Sequence, residues 1–120
     1  YFVTEERTSA LGHEYQLIDD VAQGYTLAGD KHRTASFYDV LPLQVLQEPN
    51  PVGEFNRSRI LVQGKHVEHW LNGTKVLAYE LETDLLRAAV AKSKFKAVPG
   101  FGTKLRGHIL LQDHLAPRLR

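Results

Sequence analysis

Polar residues recur at even spacing on two stretches of extended character. Glu14 and Gln16 lie two apart, and His108, Gln112 and His114 share one parity near the end of the chain. Alternate residues of a strand point to the same face. A curved sheet that turned these faces toward an open groove would gather a carboxylate, two amides and two imidazoles. Carboxylates and imidazoles move protons, while amides donate and accept at once. That combination suits a sugar, whose hydroxyls need paired donors and acceptors. The imidazoles with Glu14 and Gln16 also have the donor types of a divalent-ion site, although hydrogen bonding to solvent or substrate is the simpler use. Taken singly, each residue is better explained as an ordinary solvent-facing position of a half-buried sheet.

His66, Glu68 and Trp70 form a second evenly spaced set, with His69 pointing the other way. Trp70 could stack on a sugar ring, though a lone Trp in a strand more often packs against the sheet. Neither His66 with His69 nor His108 with His114 has the spacing of a metal motif, so any metal site must be assembled across strands. The basic run Lys92-Ser93-Lys94-Phe95-Lys96, with Lys104 and Arg106 beyond, reads as a solvated helix end and loop. A net charge of +1 and few aromatics for stacking give no expectation of a nucleic-acid partner. No serine-centred nucleophile motif, P-loop or dinucleotide-binding glycine pattern is present.

The elements that must position these residues are mostly strands. Tyr1 to Glu6 reads as a short strand, and His13 to Asp19 as a second, with Tyr15 and Leu17 on its apolar face. Asp20 to Arg33 reads as a long loop with a helical turn within Val21 to Ala28, and Thr34 to Leu41 as a strand that Pro42 ends. Pro49 and Pro51 exclude a regular element from Gln47 to Gly53. A meander follows: Arg57 to Gln63, with Ile60 and Val62 opposing Arg59, Leu61 and Gln63; a Gly64-Lys65 turn; His66 to Leu71; Asn72-Gly73; and Lys75 to Leu81. Asn-Gly between two such runs is a strong hairpin signal, because a type I′ turn needs positive φ at both central residues. Asp84 to Ala91 has the spacing of one short amphipathic helix capped by Thr83. Pro99 to Gly102 is a turn-rich loop, and Gly107 to Asp113 a final strand with Ile109 and Leu111 on one side.

At 120 residues the chain suffices for a single domain with one core. Its 42% apolar and 24% charged residues are a globular balance. The absence of cysteine excludes disulfides, thiolate metal sites and a cysteine nucleophile. No apolar run approaches the roughly 20 residues that span a bilayer, so no membrane partner is expected. Methionine is absent too, which suggests a processed chain or a fragment.

Four stretches together resemble the 3-keto-disaccharide hydrolase domain family, formerly a domain of unknown function in bacterial secreted proteins. They are Gly12-His13-Glu14-Tyr15-Gln16-Leu17-Ile18-Asp19-Asp20, Gly53-Glu54-Phe55-Asn56-Arg57-Ser58-Arg59-Ile60, His66-Val67-Glu68-His69-Trp70-Leu71-Asn72-Gly73 and Gly107-His108-Ile109-Leu110-Leu111-Gln112-Asp113-His114. Their order matches as well, and the resemblance covers nearly the whole chain. It implies an all-β, antiparallel, concanavalin-like sandwich (jelly roll) and a periplasmic or secreted location. It also implies action on glycosides oxidised to a ketone at C3. Such a ketone acidifies the C2 proton, so a base can remove it and the glycosidic oxygen can leave by β-elimination. On this resemblance Glu14, His108 and His114 are the catalytic candidates, with His114 or Glu14 as base and His108 with Gln112 as enolate or hydroxyl ligands. Gln16, Trp70 and Gln112 are the candidates for substrate binding. No cofactor is assigned, and a divalent metal stays open.

Relatives of this kind carry further strands before the equivalent of Tyr1, and a glycine where Leu115 follows His114. The chain therefore reads as one partial jelly-roll domain over 1–120, expected to pair with another copy as a dimer or by strand exchange. The alternative to catalysis is a non-catalytic carbohydrate-binding module or a truncated oligomeric scaffold.

Overall fold

The computed structural model describes residues 2–3, 12–27, 29–103 and 106–112. In chain order these form β1 (Phe2–Val3), α1 (Asp20–Gln23), β2 (Ser58–Gln63), β3 (His66–Leu71), β4 (Thr74–Glu80), α2 (Asp84–Ala91) and β5 (His108–Ile109). The strands build two antiparallel sheets, a three-stranded one in the order β2-β3-β4 and a two-stranded one of β1 with β5. The fold is all-β and antiparallel, with two short helices among the described residues where one was expected. α1 is the helical turn anticipated in the 21–28 region; the side chain of Asp19 caps it, and Gly24 closes it at φ 74°.

The meander forms because its turns have the right residues. Asn72 and Gly73 have φ of 49° and 84°, the paired positive values of a type I′ turn, and Gly64 takes φ 59° at the first turn position. β2 pairs with β3 in unbroken register from Ser58↔Leu71 to Gln63↔His66. Between β3 and β4 the register slips at His69/Trp70, and this irregularity lets the consecutive residues Val76 and Leu77 both be buried. The amide of Gln44 grips the far edge of β4: its Nε2 donates to the Ala78 carbonyl and its Oε1 accepts from the Ala78 N–H, each at 3.0 Å.

The core lies on the face of this sheet that carries Val67, His69 and Leu71, joined by Phe37, Val40, Val76, Leu77 and Tyr79. α2 drops Leu86 into it, and its N-terminus is capped where the Leu86 N–H donates to Thr83 Oγ1 at 3.3 Å. Phe95 and Phe101 stack face to face with centroids 4.2 Å apart and close the core beyond the helix.

Two expected strands take another form. Residues 34–41 do not form one, because Ala35 and Asp39 adopt left-handed φ of 72° and 61°, which curls the backbone into successive turns. Side chains satisfy that irregular backbone. Thr34 N–H donates to Asp20 Oδ1 (2.8 Å), Thr34 Oγ1 to the Ile18 carbonyl (2.7 Å) and Ser36 Oγ to the Lys31 carbonyl (2.8 Å). The fully buried Arg33 donates to the Thr26 carbonyl and to Glu48, each at 2.9 Å. Residues 13–19 are extended and bond to 34–38 through several backbone and side-chain hydrogen bonds, yet the pairing is regular enough for only one bridge, Tyr15↔Phe37, because the curled segment opposite offers no continuous ladder. Leu17, expected on the apolar face, is exposed, as are Ile109 and Leu111 around the two-residue β5. Ile60 and Val62 do share one face, but both stay more than a third exposed because, among the described residues, β2 is an edge strand.

Candidate functional site

A groove of about 380 Å³ opens between three segments distant in sequence. One wall is 14–17, the second is the start of β2, and the third is the stretch after β5. Its lining includes Glu14, Gln16 and Gln112, so the structure brings together three of the residues singled out by spacing. Tyr15, Ser58 and Ile60 line it too.

The first wall is held by its backbone. Tyr38 N–H donates to the Glu14 carbonyl (3.0 Å), Gln16 N–H to the Ser36 carbonyl (3.2 Å) and Ala35 N–H to the Gln16 carbonyl (2.8 Å). Tyr15 locks it to the sheet, its hydroxyl donating to the Trp70 carbonyl at 2.8 Å. Burial pushes the Tyr15 hydroxyl above the usual phenol range, so it stays a neutral donor. Glu14 and Gln16 are thereby carried on a fixed backbone with half-exposed side chains, and Gln16 Oε1 accepts from the Leu17 N–H at 3.1 Å. A carboxylate and two amides around an open, partly apolar groove can accept a proton and hold hydroxyls in place.

The other expected residues lie elsewhere. His108 pairs with Val3 in the small sheet and is not among the groove's lining residues. His114 falls outside the described residues. Trp70 projects from the opposite face of β3, where its Nε1 donates to Glu68 (2.9 Å) and the Arg59 guanidinium sits 5.3 Å from the ring centroid. On that face His66 bridges Glu68 (2.9 Å) and Glu80, and the two carboxylates hold its pKa above the ordinary imidazole value. Hydrogen bonds from His66 and Trp70 hold Glu68 below the ordinary carboxylate range. The set predicted from even spacing is thus a self-paired network, with His69 buried behind it. Among the described residues, no three His, Asp, Glu or Cys side chains converge as a metal-binding group. Also among them, no helix is long and apolar enough to cross a membrane.

Spacing alone missed Tyr15 and Ser58. Tyr15 was assigned to an apolar face by alternation, and only the register of β3 shows its hydroxyl reaching a backbone carbonyl. Larger grooves lie beside α1 and at the β3-β4 hairpin tip, of about 600 and 620 Å³. The first presents Asp20 and Glu48, both engaged in holding residues 33 and 34. The groove at Glu14 is the one that gathers three of the residues singled out by spacing, a carboxylate and two amides.

Comparison with known proteins agrees with this architecture. A 3-keto-disaccharide hydrolase of Bacteroides thetaiotaomicron is 40% identical over 82 residues, covering 63% of this chain and 28% of that protein. The crystal structure of a candidate glycosyl hydrolase from Parabacteroides distasonis superposes with a TM-score of 0.62 at 33% identity, covering 77% of this chain and 44% of that one. The chain thus spans less than half the length of either relative. The profile of the 3-keto-alpha-glucoside-1,2-lyase-like domain matches residues 1–118. That match spans nearly all of the sequence, and the chain belongs to the 3-keto-alpha-glucoside-1,2-lyase-like domain family.

Proposed function

We propose that this domain acts on carbohydrates, binding a glycoside oxidised at C3 in the groove of Glu14, Gln16 and Gln112 and cleaving it by elimination. The observation that carries the reading is the convergence of these three residues from segments almost a hundred positions apart. In the reaction Glu14 takes the C2 proton, and the electron pair forms an enolate with the C3 ketone. The enolate collapses to a C1–C2 double bond as the C1–oxygen bond breaks and the leaving oxygen takes up a proton. Water then adds back across that bond, hydroxyl at C1 and proton at C2. Gln16 and Gln112 hold the sugar hydroxyls and the enolate oxygen. His114 is the alternative base and the candidate acid, on the strength of the family motif.

The test is release of nitrophenol from a 4-nitrophenyl 3-keto-glucoside. Glu14→Gln is expected to lower kcat by about a hundredfold or more, the ordinary contribution of a positioned base. Wild-type rates in Glu14→Gln together with loss in His114→Ala would transfer the base role to His114.

A second reading, a non-catalytic carbohydrate-binding module, is favoured by the position of His108 away from the groove lining. It predicts binding of unoxidised oligosaccharide without turnover.

A further inference from the structure

The two edges of the large sheet are treated differently. The outer edge of β4 is covered, since Gln44 and Val45 donate their N–H groups to the Val76 carbonyl at 2.7 and 3.1 Å and the Gln44 amide engages Ala78. Among the described residues, β2 has no strand on its outer side. It also lacks the usual protections of an edge: it has no proline and no bulge, and its one charge is Arg59. Ile60 and Val62, on the core-facing side, are 43% and 41% exposed, whereas their β3 partners His69 and Val67 are each 2% exposed. Among the described residues the sheet's apolar face thus continues to the outer edge of β2, where Ile60 also lines the groove across from 109–112.

The phase of the outward-directed hydrogen-bonding groups of β2 follows from one bond. Asn72 N–H donates to the Arg57 carbonyl at 2.8 Å, which makes 57↔72 a hydrogen-bonded pair. Hydrogen-bonded pairs alternate along an antiparallel ladder, so Arg59, Leu61 and Gln63 bond toward β3. Ser58, Ile60 and Val62 then direct their N–H and C=O groups outward.

We propose that β2 pairs with β2 of a second copy of this chain, antiparallel, about a two-fold axis through Leu61. Directly opposed residues must share a face, so the register must keep parity. With Leu61 on the axis, Ile60 falls opposite the second copy's Val62 and Val62 opposite its Ile60. Those are the outward-bonding residues, and they are also the two exposed apolar ones. Arg59 falls opposite a neutral Gln63, so no like charges oppose one another. Centring on Ile60 instead would set Arg59 against Leu61 and Ser58 against Val62, a poorer match. The strand is therefore self-complementary in one register. The pairing would also place the second copy's Gly64 opposite Ser58, a groove residue, so that the incoming turn walls the candidate site. That last consequence rests on the catalytic reading; the dimer does not.

The chain has no cysteine, which gives a clean test. Leu61→Cys places two thiols across the axis in a non-hydrogen-bonded pair, within disulfide reach, whereas Arg59→Cys and Gln63→Cys do not oppose themselves. Under mild oxidation of the full chain, Leu61→Cys is expected to form covalent dimer, with little in the other two. Val62→Pro removes an N–H that the β2-β3 ladder does not use, so the fold should persist by circular dichroism while light scattering across a concentration series shows only monomer. Wild-type chain that stays monomeric throughout the series, or crosslinking as strong in Arg59→Cys as in Leu61→Cys, overturns the proposal. Failure of sugar turnover with intact Leu61→Cys crosslinking would count against the catalytic reading alone.

Discussion

His13 and His69 are both buried in the aromatic core, His13 stacked on Phe37 at 5.1 Å and His69 bonded through Nδ1 to the Ala35 carbonyl at 2.7 Å. Desolvation lowers each pKa from 6.5 to about 4. The sign follows directly. The unfolded chain binds the extra protons, so the stability due to neutral His13 and His69 is present above pH 6.5 and is lost as pH falls toward 4. Urea unfolding should weaken over that window, with a limiting slope of roughly 2.7 kcal/mol per pH unit for two protons. His69→Gln should flatten the slope by about half if it folds. His66 acts oppositely: its raised pKa gives stability below pH 6.5 that is lost as pH rises through the folded value, but its exposure makes this small. Alternation in the sequence separated His69 from His66, Glu68 and Trp70 correctly. It could not tell that His13 is core, because that depends on Phe37 and Phe101, distant in sequence. Tyr15→Phe removes the bond to the Trp70 carbonyl, and thermal melts should show a loss of about 1 kcal/mol.

The hairpins and α2 were legible because their signals are local. Asn72-Gly73 and Thr83 each act within a few residues, so no distant partner is needed to read them. Gly73→Ala places a Cβ at φ 84°, in otherwise open space, so only backbone strain is felt. A loss of roughly 1–2 kcal/mol in chemical denaturation is expected. Thr83→Ala removes the cap on Leu86 N–H and should lower stability by about 1 kcal/mol. The segment 34–41 was misread because its apolar pattern is that of a strand, while its course is set by Asp20, Lys31 and Arg33 bonds from outside the pattern. The left-handed residues there, Ala35 and Asp39, are not glycines, so the sequence carried no turn signal. The last strand was over-read for a related reason: Ile109 and Leu111 alternate as a strand's would, yet both are exposed.

At the scale of the molecule, the fold class was accessible from four motifs in order, and the family match over 1–118 agrees with it. The groove was legible in part. Glu14 and Gln16 share a face by simple alternation, but their meeting with Gln112 and Ser58 depends on how 14–17, β2 and 109–112 are laid side by side. His108 shares parity with Gln112 yet is drawn into the pairing with Val3. The central claim is that Glu14 works on the C2 proton, and hydrogen exchange reports on that atom. A 3-keto-glucoside incubated briefly with the chain in deuterium oxide should give aglycone together with sugar product carrying deuterium at C2 in the proton spectrum. Glu14→Gln should leave the substrate intact and its C2 proton in place. Aglycone release with the C2 proton retained, or equal exchange in wild type and Glu14→Gln, would contradict the account.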